Sequence, residues 1–245
     1  MLTMCSERAR VGRSANDNPV MGECEGAIAG GAPERSDAAR AGKRPARVHL
    51  ASRSPRRREL LTRAGIAHEA SHPGLDDGEL EPGQVRPDQW VTALAYLKAA
   101  SALKNAAGTA APLGAPVVLG ADTVVVLEGR IIGQPRDEGH ARQMLTELRD
   151  AEHDVITGVA LLDASGKKRL LFSDRASVRV GHIDDAEIDT YIRSGEWRGK
   201  AGAYNLDERI AAGWPITFEG DPGTVMGLPV RALVRRLAEF EGQMG

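Results

Sequence analysis

Residues 50–65 read LASRSPRRRELLTRAG and decide how the folded part of the chain begins. The apolar start is typical of the end of a strand, and the turn after it leads into a predicted helix. Ser54 is a suitable cap for this helix, Pro55 suits its first position and Gly65 is a suitable end. The stretch therefore predicts a strand, a short turn and a helix in immediate succession.

The first turn of that helix carries three arginines, Arg56, Arg57 and Arg58. Cations are disfavoured there because a helix N-terminus is the positive end of the helix dipole, although a solvated helix tolerates the small cost. The free backbone N–H groups of a helix N-terminus also bind phosphates, and arginines beside Ser52 and Ser54 add bidentate donors. The residue types therefore favour an anion-binding turn over a merely solvated one.

The composition of the whole chain argues against several classes of function. The 245 residues carry a formal net charge of -2 and only 4% aromatic residues, so a nucleic-acid binder would lack both a basic field and stacking platforms. No apolar run approaches the roughly 20 residues of a membrane helix, and the N-terminus has no apolar core typical of a signal peptide. The two cysteines, Cys5 and Cys24, fit a reducing compartment. We therefore expect a cytoplasmic enzyme or binding protein that contacts neither nucleic acid nor a membrane.

The chain is predicted to divide into two parts. Residues 1–46 are rich in small and charged residues without a lasting apolar period, which predicts a disordered N-terminal extension. Residues 47–245 mix strand and helix patterns without regular repetition, which predicts one α/β domain around a mixed sheet. Within it, Trp90, Leu94 and Leu97 have the spacing of the apolar face of a helix.

Other segments have clear boundaries. One hairpin is predicted to turn at Glu128–Gly129 and another near Ser165–Gly166, because β-rich runs flank these residues. Residues 197–214 are predicted to form a glycine-rich loop, and residues 216–227 a strand followed by a turn. Predicted helices cover residues 55–64, 87–107, 136–151, 184–196 and 228–240.

Asp122 lies in VVLGADTVVVL, an otherwise apolar strand. Strand alternation puts Val118, Gly120 and Val124 on the same face as Asp122, so its carboxylate is either buried or lines a cleft. An unpaired buried carboxylate is expensive, and it therefore needs a partner cation or hydrogen bonds. Asp122 is either a structural group satisfied by a neighbouring loop, or a metal ligand or general base. Thr123 should point to the opposite face unless the strand ends or bulges there.

Three further features are compatible with phosphate chemistry but are less specific. Gly199 and Gly202 bracket Lys200, and glycines allow a ligand to approach the backbone while the lysine supplies a charge. Lys98 is either a phosphate-binding group or a surface lysine that extends toward solvent. The pair Asp76–Asp77 can bind a divalent cation, although acidic loops are usually only solvated. Anion donors in one segment and a strand carboxylate in another are what metal-assisted phosphoester chemistry requires.

Four motifs in the order LASRSPRRRELL, GADTVVV, KAGAY and TVMGLP resemble those of the Maf family of nucleoside triphosphate pyrophosphatases, over about residues 47–241. The combination of SxSPRR with a later GADT is more specific than either motif alone. The resemblance implies hydrolysis of nucleoside triphosphates to monophosphates and pyrophosphate, with a divalent cation, Mg2+ or Mn2+. It also implies an elongated, two-lobed α/β molecule of the ITPase-like class, with a central cleft and often a homodimer.

The resemblance also implies roles for individual residues. Asp122 is expected to accept a proton and, together with Asp77, to hold the metal. Arg58 matches no motif position. The predicted substrate-binding residues are Ser52, Arg56, Arg57, Lys98, Thr123, Lys200 and Asp207.

Within the family, Arg56 and Thr123 match the branch that acts on dTTP and UTP. Gln134 stands where this branch has a lysine, which removes a phosphate-binding charge. Asp207 stands where it has a glutamine, which removes a donor able to read a base edge. These departures leave the base preference open. They also motivate an alternative function, a nucleotide-sensing regulator of cell division with weak or lost catalysis.

Overall fold

The computed structural model describes residues 47–75, 80–107 and 114–244. The predicted extension at residues 1–46 and the predicted metal ligand Asp77 lie outside the described residues. Within the described ranges, no helix combines the length and the apolar character that a bilayer span requires.

Strands and helices follow one another without a regular repeat. The strands are β1 (Arg47–Ala51), β2 (Ala67–Ser71), β3 (Val117–Leu127), β4 (Arg130–Ile132), β5 (Glu152–Asp163), β6 (Arg169–Val180) and β7 (Ile216–Glu219). The helices are α1 (Pro55–Arg63), α2 (Pro87–Ala107), α3 (Glu138–Leu148), α4 (Asp185–Ser194), α5 (Leu206–Ala211), α6 (Pro222–Met226) and α7 (Val230–Met244). A 3-10 turn, Ala201–Ala203, precedes α5.

These strands form a mixed sheet in the order β2-β1-β3-β5-β6-β7, with β4 also paired to β3. β1 is parallel to β2 and β3, and the other pairs are antiparallel. One edge of β3 pairs with β1 at Val117–Leu119 and with β4 at Val125–Leu127, so residues 120–124 have no described strand beside them on that edge. The predicted α/β fold around a mixed sheet is confirmed. The gap beyond the carboxyl end of β1 is a place where a ligand can reach the sheet.

Helix α2 covers one face of the sheet at very close range. An added Cβ at Gly120 would lie 2.0 Å from the carbonyl oxygen of Ala95, and one at Gly158 would lie 2.6 Å from the backbone of α2. These glycines, on the paired strands β3 and β5, therefore let the helix backbone rest directly on the sheet. The buried residues of α2 are Val91, Leu94, Ala95, Ala99 and Ala102.

The buried face of α2 differs from the predicted one. Leu97 is 40% exposed, so the predicted apolar stripe of Trp90, Leu94 and Leu97 is wrong at its last member. The close approach of helix and sheet explains the difference, because alanines rather than large side chains fit at the contact. The same orientation turns Lys98 inward, where its side chain is only 13% exposed.

The opposite face of the sheet is covered in two separate parts. Leu119 and Ala121 of β3 pack with α1 and α7 in one apolar cluster. Val125 and Leu127 pack with α3 and α4 in another. Thr123 lies between these pairs along the strand, so the boundary between the two clusters is polar. This boundary coincides with the gap in the pairing of β3.

Two segments that were predicted as loop and turn contain short helices. α5 lies inside the predicted loop, and Asn205 caps it by accepting a hydrogen bond from the Glu208 N–H at 3.2 Å. α6 lies inside the predicted turn, where Asp221 is the cap and a proline takes the first position. Both caps are known sequence signals. Helices of six and five residues are, however, too short for an apolar period to be visible.

We expect Gly120→Ala to lower the free energy of unfolding by about 3 kcal/mol, because the added methyl group must push α2 away from the sheet. Urea denaturation followed by circular dichroism measures the change. Gly242→Ala in α7 is the matched control, since nothing lies within 4 Å of the added Cβ there. It should leave stability unchanged or raise it by up to about 1 kcal/mol. Equal effects at the two positions would contradict close packing at Gly120.

Candidate functional site

A cavity of about 660 Å³ opens at the gap beside β3. Residues 51–57, Asp122, Thr123, residues 198–201 and residues 225–227 all line it. Segments that are far apart in the sequence thus meet at one place. A cavity of this size accommodates a ligand as large as a nucleotide.

The first turn of α1 forms one part of this lining. Ser54 caps the helix, and its Oγ accepts a hydrogen bond from the Arg57 N–H at 3.4 Å. Ser52 is buried, and its Oγ accepts from the Ser54 N–H at 3.1 Å. Arg56 and Arg57 line the cavity, whereas Arg58 is exposed and is not part of the lining. Two of the three arginines therefore share a site.

The guanidinium group of Arg57 connects three distant segments. Its Nη1 donates to Ser52 Oγ at 3.2 Å, and its Nη2 donates to Thr123 Oγ1 at 3.1 Å. Its Nε donates to the carbonyl oxygen of Gly227 at 2.8 Å. The end of β1, the middle of β3 and the turn after α6 are thus tied to one planar group. Because these contacts hold the guanidinium in one orientation, Arg57 is preorganised for an anion in the cavity.

Asp122 and Lys98 form a nearly buried ion pair at the cavity. Lys98 Nζ lies 2.5 Å from Asp122 Oδ1, and the two side chains are 13% and 14% exposed. Lys98 is therefore the partner cation that a carboxylate in an apolar strand requires. Desolvation of two charges offsets most of their attraction, so the pair adds little stability. Its main consequence is that a carboxylate and an ammonium group both line the cavity.

Asp122 and Thr123 point to opposite faces of β3, and yet both line the cavity. The strand neither ends nor bulges here, because its register with β5 is continuous from Val117 to Val126. Both side chains reach the cavity because the other edge of β3 is open at this point. Strand alternation alone could not reveal that open edge, which depends on where β1 stops.

The lining of the cavity is basic although the whole chain is slightly acidic. Among the described residues, six arginine or lysine side chains line it, against two carboxylates. The basic residues are Arg53, Arg56, Arg57, Lys98, Arg198 and Lys200, and the acidic ones are Asp122 and Glu208. A concave positive surface of this kind concentrates multiply charged anions.

The structure brings Glu208, rather than the predicted Asp207, to the main cavity. Lys200 also lines it, with a side chain that is 12% exposed and ion-paired with the Glu208 carboxylate. Asp207 lies beside a smaller cavity of about 220 Å³, which Arg56 also lines. Sequence reasoning missed Glu208 because the segment resembled a loop. In a helix, neighbouring residues point about 100° apart, so the cap at Asn205 was the signal that could have separated them.

A buried aromatic pair supports the cavity lining at Tyr204. The Tyr204 hydroxyl lies 2.8 Å from His153 Nε2, and the two rings form a T-shaped contact with centroids 5.9 Å apart. Burial lowers the pKa of His153 to about 4, because the charged imidazolium would lose its hydration. Burial also raises the pKa of Tyr204 well above its ordinary value. Both groups are therefore neutral near pH 7, and their hydrogen bond fixes the tyrosine ring.

The acidic residues of the cavity suit a cation that is held jointly with a substrate. The described residues contain no group of three or more histidine, cysteine, aspartate or glutamate side chains that could hold a metal ion by themselves. Magnesium commonly uses only one or two protein carboxylates and takes its other ligands from phosphates and water. Asp122, next to basic residues that suit phosphates, fits that mode of binding.

The mixed sheet and its cavity define an α/β protein whose described cavity lining is mainly basic. The chain belongs to the Maf-like protein family, which matches residues 47–240, so the family suggested by the motifs is confirmed. A "dTTP/UTP pyrophosphatase" of Pelotomaculum thermopropionicum is 41% identical over 79% of this chain and 96% of the relative. A protein of the same name from Salinibacter ruber is 40% identical over 77% of this chain and 88% of the relative.

Similarity to solved structures is weaker. The Staphylococcus aureus Ham1 protein aligns with a TM-score of 0.36 and 14% sequence identity, over 55% of this chain and 71% of that protein. A likeness of this degree supports no comparison of individual residues.

We expect His153 to make the free energy of unfolding depend on pH. Its pKa is about 4 in the folded chain against 6.5 ordinarily, so the unfolded chain binds a proton first as the pH falls. Lowering the pH from 7 to 4.5 should therefore remove about 2.5 kcal/mol of stability through His153 alone. Urea denaturation at both pH values measures the loss.

His153→Gln is the control, because it keeps a hydrogen-bonding side chain beside Tyr204 but does not titrate in this range. The part of the pH dependence that belongs to His153 should be missing in this variant. The same pH dependence in both proteins would contradict a buried, neutral histidine.

Proposed function

We propose that this chain hydrolyses nucleoside triphosphates between the α- and β-phosphates, releasing a nucleoside monophosphate and pyrophosphate. The observation that carries the proposal is that the Asp122–Lys98 ion pair and the Arg56–Arg57 turn line one basic cavity. The relatives at 41% and 40% identity are named dTTP/UTP pyrophosphatase, which supports the same reaction. Their names make dTTP and UTP the first candidate substrates.

The first turn of α1 binds the phosphates in this proposal. The N–H groups and the dipole at a helix N-terminus favour an anion, and Arg56 and Arg57 add charge-assisted donors. Without a ligand, cations at this end of a helix interact slightly unfavourably with the positive end of the helix dipole. A bound polyphosphate reverses the sign of the local field, so that the arginine side chains are then attracted to the phosphate charges. Ser52 contributes by holding Arg57 in position.

Asp122 accepts a proton from the attacking water. The water oxygen bonds to the α-phosphorus, the bond from that phosphorus to the α–β bridging oxygen breaks, and pyrophosphate leaves with the electron pair. Lys98, 2.5 Å from the carboxylate, holds Asp122 in place. Lys200 adds positive charge for the phosphates that leave. Thr123 acts through its hydrogen bond from Arg57.

A divalent cation, Mg2+ or Mn2+, is part of the proposal. Asp122 would hold it together with phosphate oxygens, and the family resemblance adds Asp77. When bound, such an ion neutralises phosphate charge and polarises the phosphoryl group.

Base selection is the part of the function for which the chain departs from the family motifs. Gln134 lines the cavity at the place of the motif lysine. Glu208 lines it too, whereas Asp207, at the place of the motif glutamine, does not. A carboxylate is a pure acceptor and suits a base edge that presents a donor, such as the N3–H of uracil or thymine or the N4 amino group of cytosine. Adenine and guanine present donors as well, so this carboxylate does not select pyrimidines by itself, and purine and cytidine nucleotides belong in the test beside dTTP and UTP.

A cytoplasmic location and a homodimer remain predictions. The location rests on the composition and the homodimer on the family resemblance. The expectation that the chain contacts neither nucleic acid nor a membrane rests on the composition as well.

Purified protein with Mg2+ or Mn2+ should release pyrophosphate from dTTP or UTP faster than from purine triphosphates. Phosphate is measured with and without added inorganic pyrophosphatase, because pyrophosphate gives a phosphate signal only after that enzyme has cleaved it. The panel includes CTP and nucleotides with methylated bases. Equal signals with and without the added enzyme would refute cleavage between the α- and β-phosphates. Tight binding without turnover would support the nucleotide-sensing alternative instead.

Substitution of the proton acceptor and substitution of a phosphate-binding residue should have different effects on the kinetics. Asp122→Asn should lower kcat by about 100-fold or more while nucleotide binding persists, because an amide does not accept the proton. Arg56→Gln should raise KM about tenfold, because it removes charge-assisted hydrogen bonds to phosphate. Steady-state kinetics with the preferred nucleotide measures both.

Arg58→Gln is the matched control for Arg56→Gln, because Arg58 is in the same helical turn but exposed. It should change neither kcat nor KM. Equal losses at the two arginines would mean that overall helix charge, and not contact in the cavity, decides binding. Unchanged turnover in Asp122→Asn would remove Asp122 from the mechanism.

A further inference from the structure

Two fully buried threonines, Thr157 and Thr224, lie next to the cavity without lining it. Thr157 is opposite Thr123 in the register of β3 and β5, and their Oγ1 atoms are 2.9 Å apart. Thr157 Oγ1 donates to the carbonyl oxygen of Thr224 at 2.8 Å, and Thr224 Oγ1 donates to the carboxylate of Asp174 on β6. A connected set of hydrogen bonds thus leads from Arg57 to Asp174.

The proton count fixes the direction of each of these bonds. A hydroxyl group has one proton, and Thr157 uses its proton on the carbonyl of Thr224. The bond between Thr123 and Thr157 must therefore be donated by Thr123. Thr123 Oγ1 then serves as the acceptor for Arg57 Nη2, at 3.1 Å. Each hydrogen bond between Arg57 and Thr224 therefore has one possible donor. At the cavity, these hydrogen bonds end on the Arg57 guanidinium group.

The same hydrogen bonds attach α6 to the sheet. Thr224 lies inside this helix, and its carbonyl and hydroxyl groups bind β5 and β6 respectively. Gly227, directly after the helix, has a φ of 103° and accepts the bond from Arg57 Nε. Gly227 and the two residues between it and Thr224 line the cavity. One short segment of the lining is therefore held at several points.

Packing alone does not require threonine at these positions. Buried hydroxyl groups must be hydrogen-bonded to avoid a penalty, and Thr157 lies on the boundary between two apolar clusters. A methyl group of the same shape would fill this boundary without the cost of desolvating a hydroxyl, which stays favourable only where its hydrogen bonds are made. The Thr157 hydroxyl bonds to Thr123 and to the Thr224 carbonyl, and the Thr224 hydroxyl bonds to Asp174, so these partners indicate what the hydroxyl groups serve.

We propose that Thr157 and Thr224, with Asp174, are positioning residues for triphosphate hydrolysis. They hold Arg57 and α6 in the orientation that binds the phosphates, and they touch no reacting atom. This inference rests on the proposed function, because it assigns the phosphates to Arg57.

Thr157→Val tests the inference by removing the hydroxyl at similar shape. Thr123 loses its acceptor and Thr224 loses a donor, so Kd for a dUTP analogue with an α,β-imido bridge, measured with Mg2+ by calorimetry, should rise about tenfold. Thr157→Ser keeps the hydroxyl and should restore Kd to within about twofold. Thr92→Val is the matched control, because the hydrogen bond that the structure describes for Thr92 Oγ1 stays within its own helix, to the Asp88 carbonyl at 2.6 Å. Kd should be unchanged in this control.

Arg57→Gln separates positioning from a general loss of structure. If Thr157 acts through Arg57, the two effects on Kd are not additive, because the residues belong to one network. Thr157→Val should then weaken binding about tenfold in the unsubstituted protein and by less than about twofold in the Arg57→Gln background. The same tenfold weakening in both backgrounds would overturn the inference.

Hydrogen exchange tests the positioning without any nucleotide. Backbone amides in residues 222–228 should exchange faster in Thr157→Val than in the unsubstituted protein, Thr157→Ser or Thr92→Val, because α6 has lost a contact with the sheet. Unchanged exchange in these residues would overturn the inference even if the enzyme is active. If the unsubstituted protein cleaves no triphosphate, the proposed function fails, and this exchange measurement still decides whether Thr157 positions α6.

Discussion

The hydrogen bonds of the Arg57 guanidinium are the interaction on which the site depends. They join Ser52, five residues away in the sequence, to Thr123, 66 residues away, and to Gly227, 170 residues away. A planar group with fixed donor directions satisfies these acceptors only when the three segments have one relative placement. The shape of the cavity therefore follows in large part from satisfying one partly buried cation.

The break in the pairing of β3 decides what can reach that cation. β1 pairs with β3 only as far as Leu119, and β4 begins to pair at Val125. At Asp122 and Thr123 both faces of the strand are consequently accessible from one cavity. Close packing of α2 at Gly120 then brings Lys98 to the carboxylate from one face, while Arg57 reaches the hydroxyl from the other. The sheet itself keeps the two cations apart, and a polyphosphate is the kind of ligand that benefits from both.

Local sequence signals were sufficient to predict the elements whose ends are marked by a cap, a terminal glycine or a tight turn. Ser54 and Gly65 marked the two ends of α1, and the hairpin turn at Glu128–Gly129 was confirmed, with φ angles of 50° and 77°. These features depend on a few neighbouring residues, and so the sequence carries them directly. The alternation in β3 likewise placed Asp122 on the face that α2 covers.

Local sequence signals could not predict the features that depend on contacts between residues far apart in the sequence. Lys98 points inward because α2 packs against two glycines, one on β3 and one on β5. Nothing in the sequence of the helix itself indicates that contact. Glu208, rather than Asp207, lines the cavity because a six-residue helix sets its direction. The pairing of Thr123 with Thr157 requires the register of β5, which is determined by packing across the whole sheet.

The carboxylate partners of Lys98 and Lys200 limit how strongly these two cations attract a phosphate in the proposed reaction. Lys98 and Lys200 are each paired with a carboxylate, so a phosphate must compete with Asp122 or Glu208 for them. Ser52, Thr123 and Gly227 orient the Arg57 guanidinium through neutral hydroxyl and carbonyl acceptors. A phosphate that took Lys98 for itself would break the ion pair that holds Asp122, so the proposed reaction keeps its base in place best when the turn of α1 and Lys200 bind the phosphates and Lys98 stays on the carboxylate.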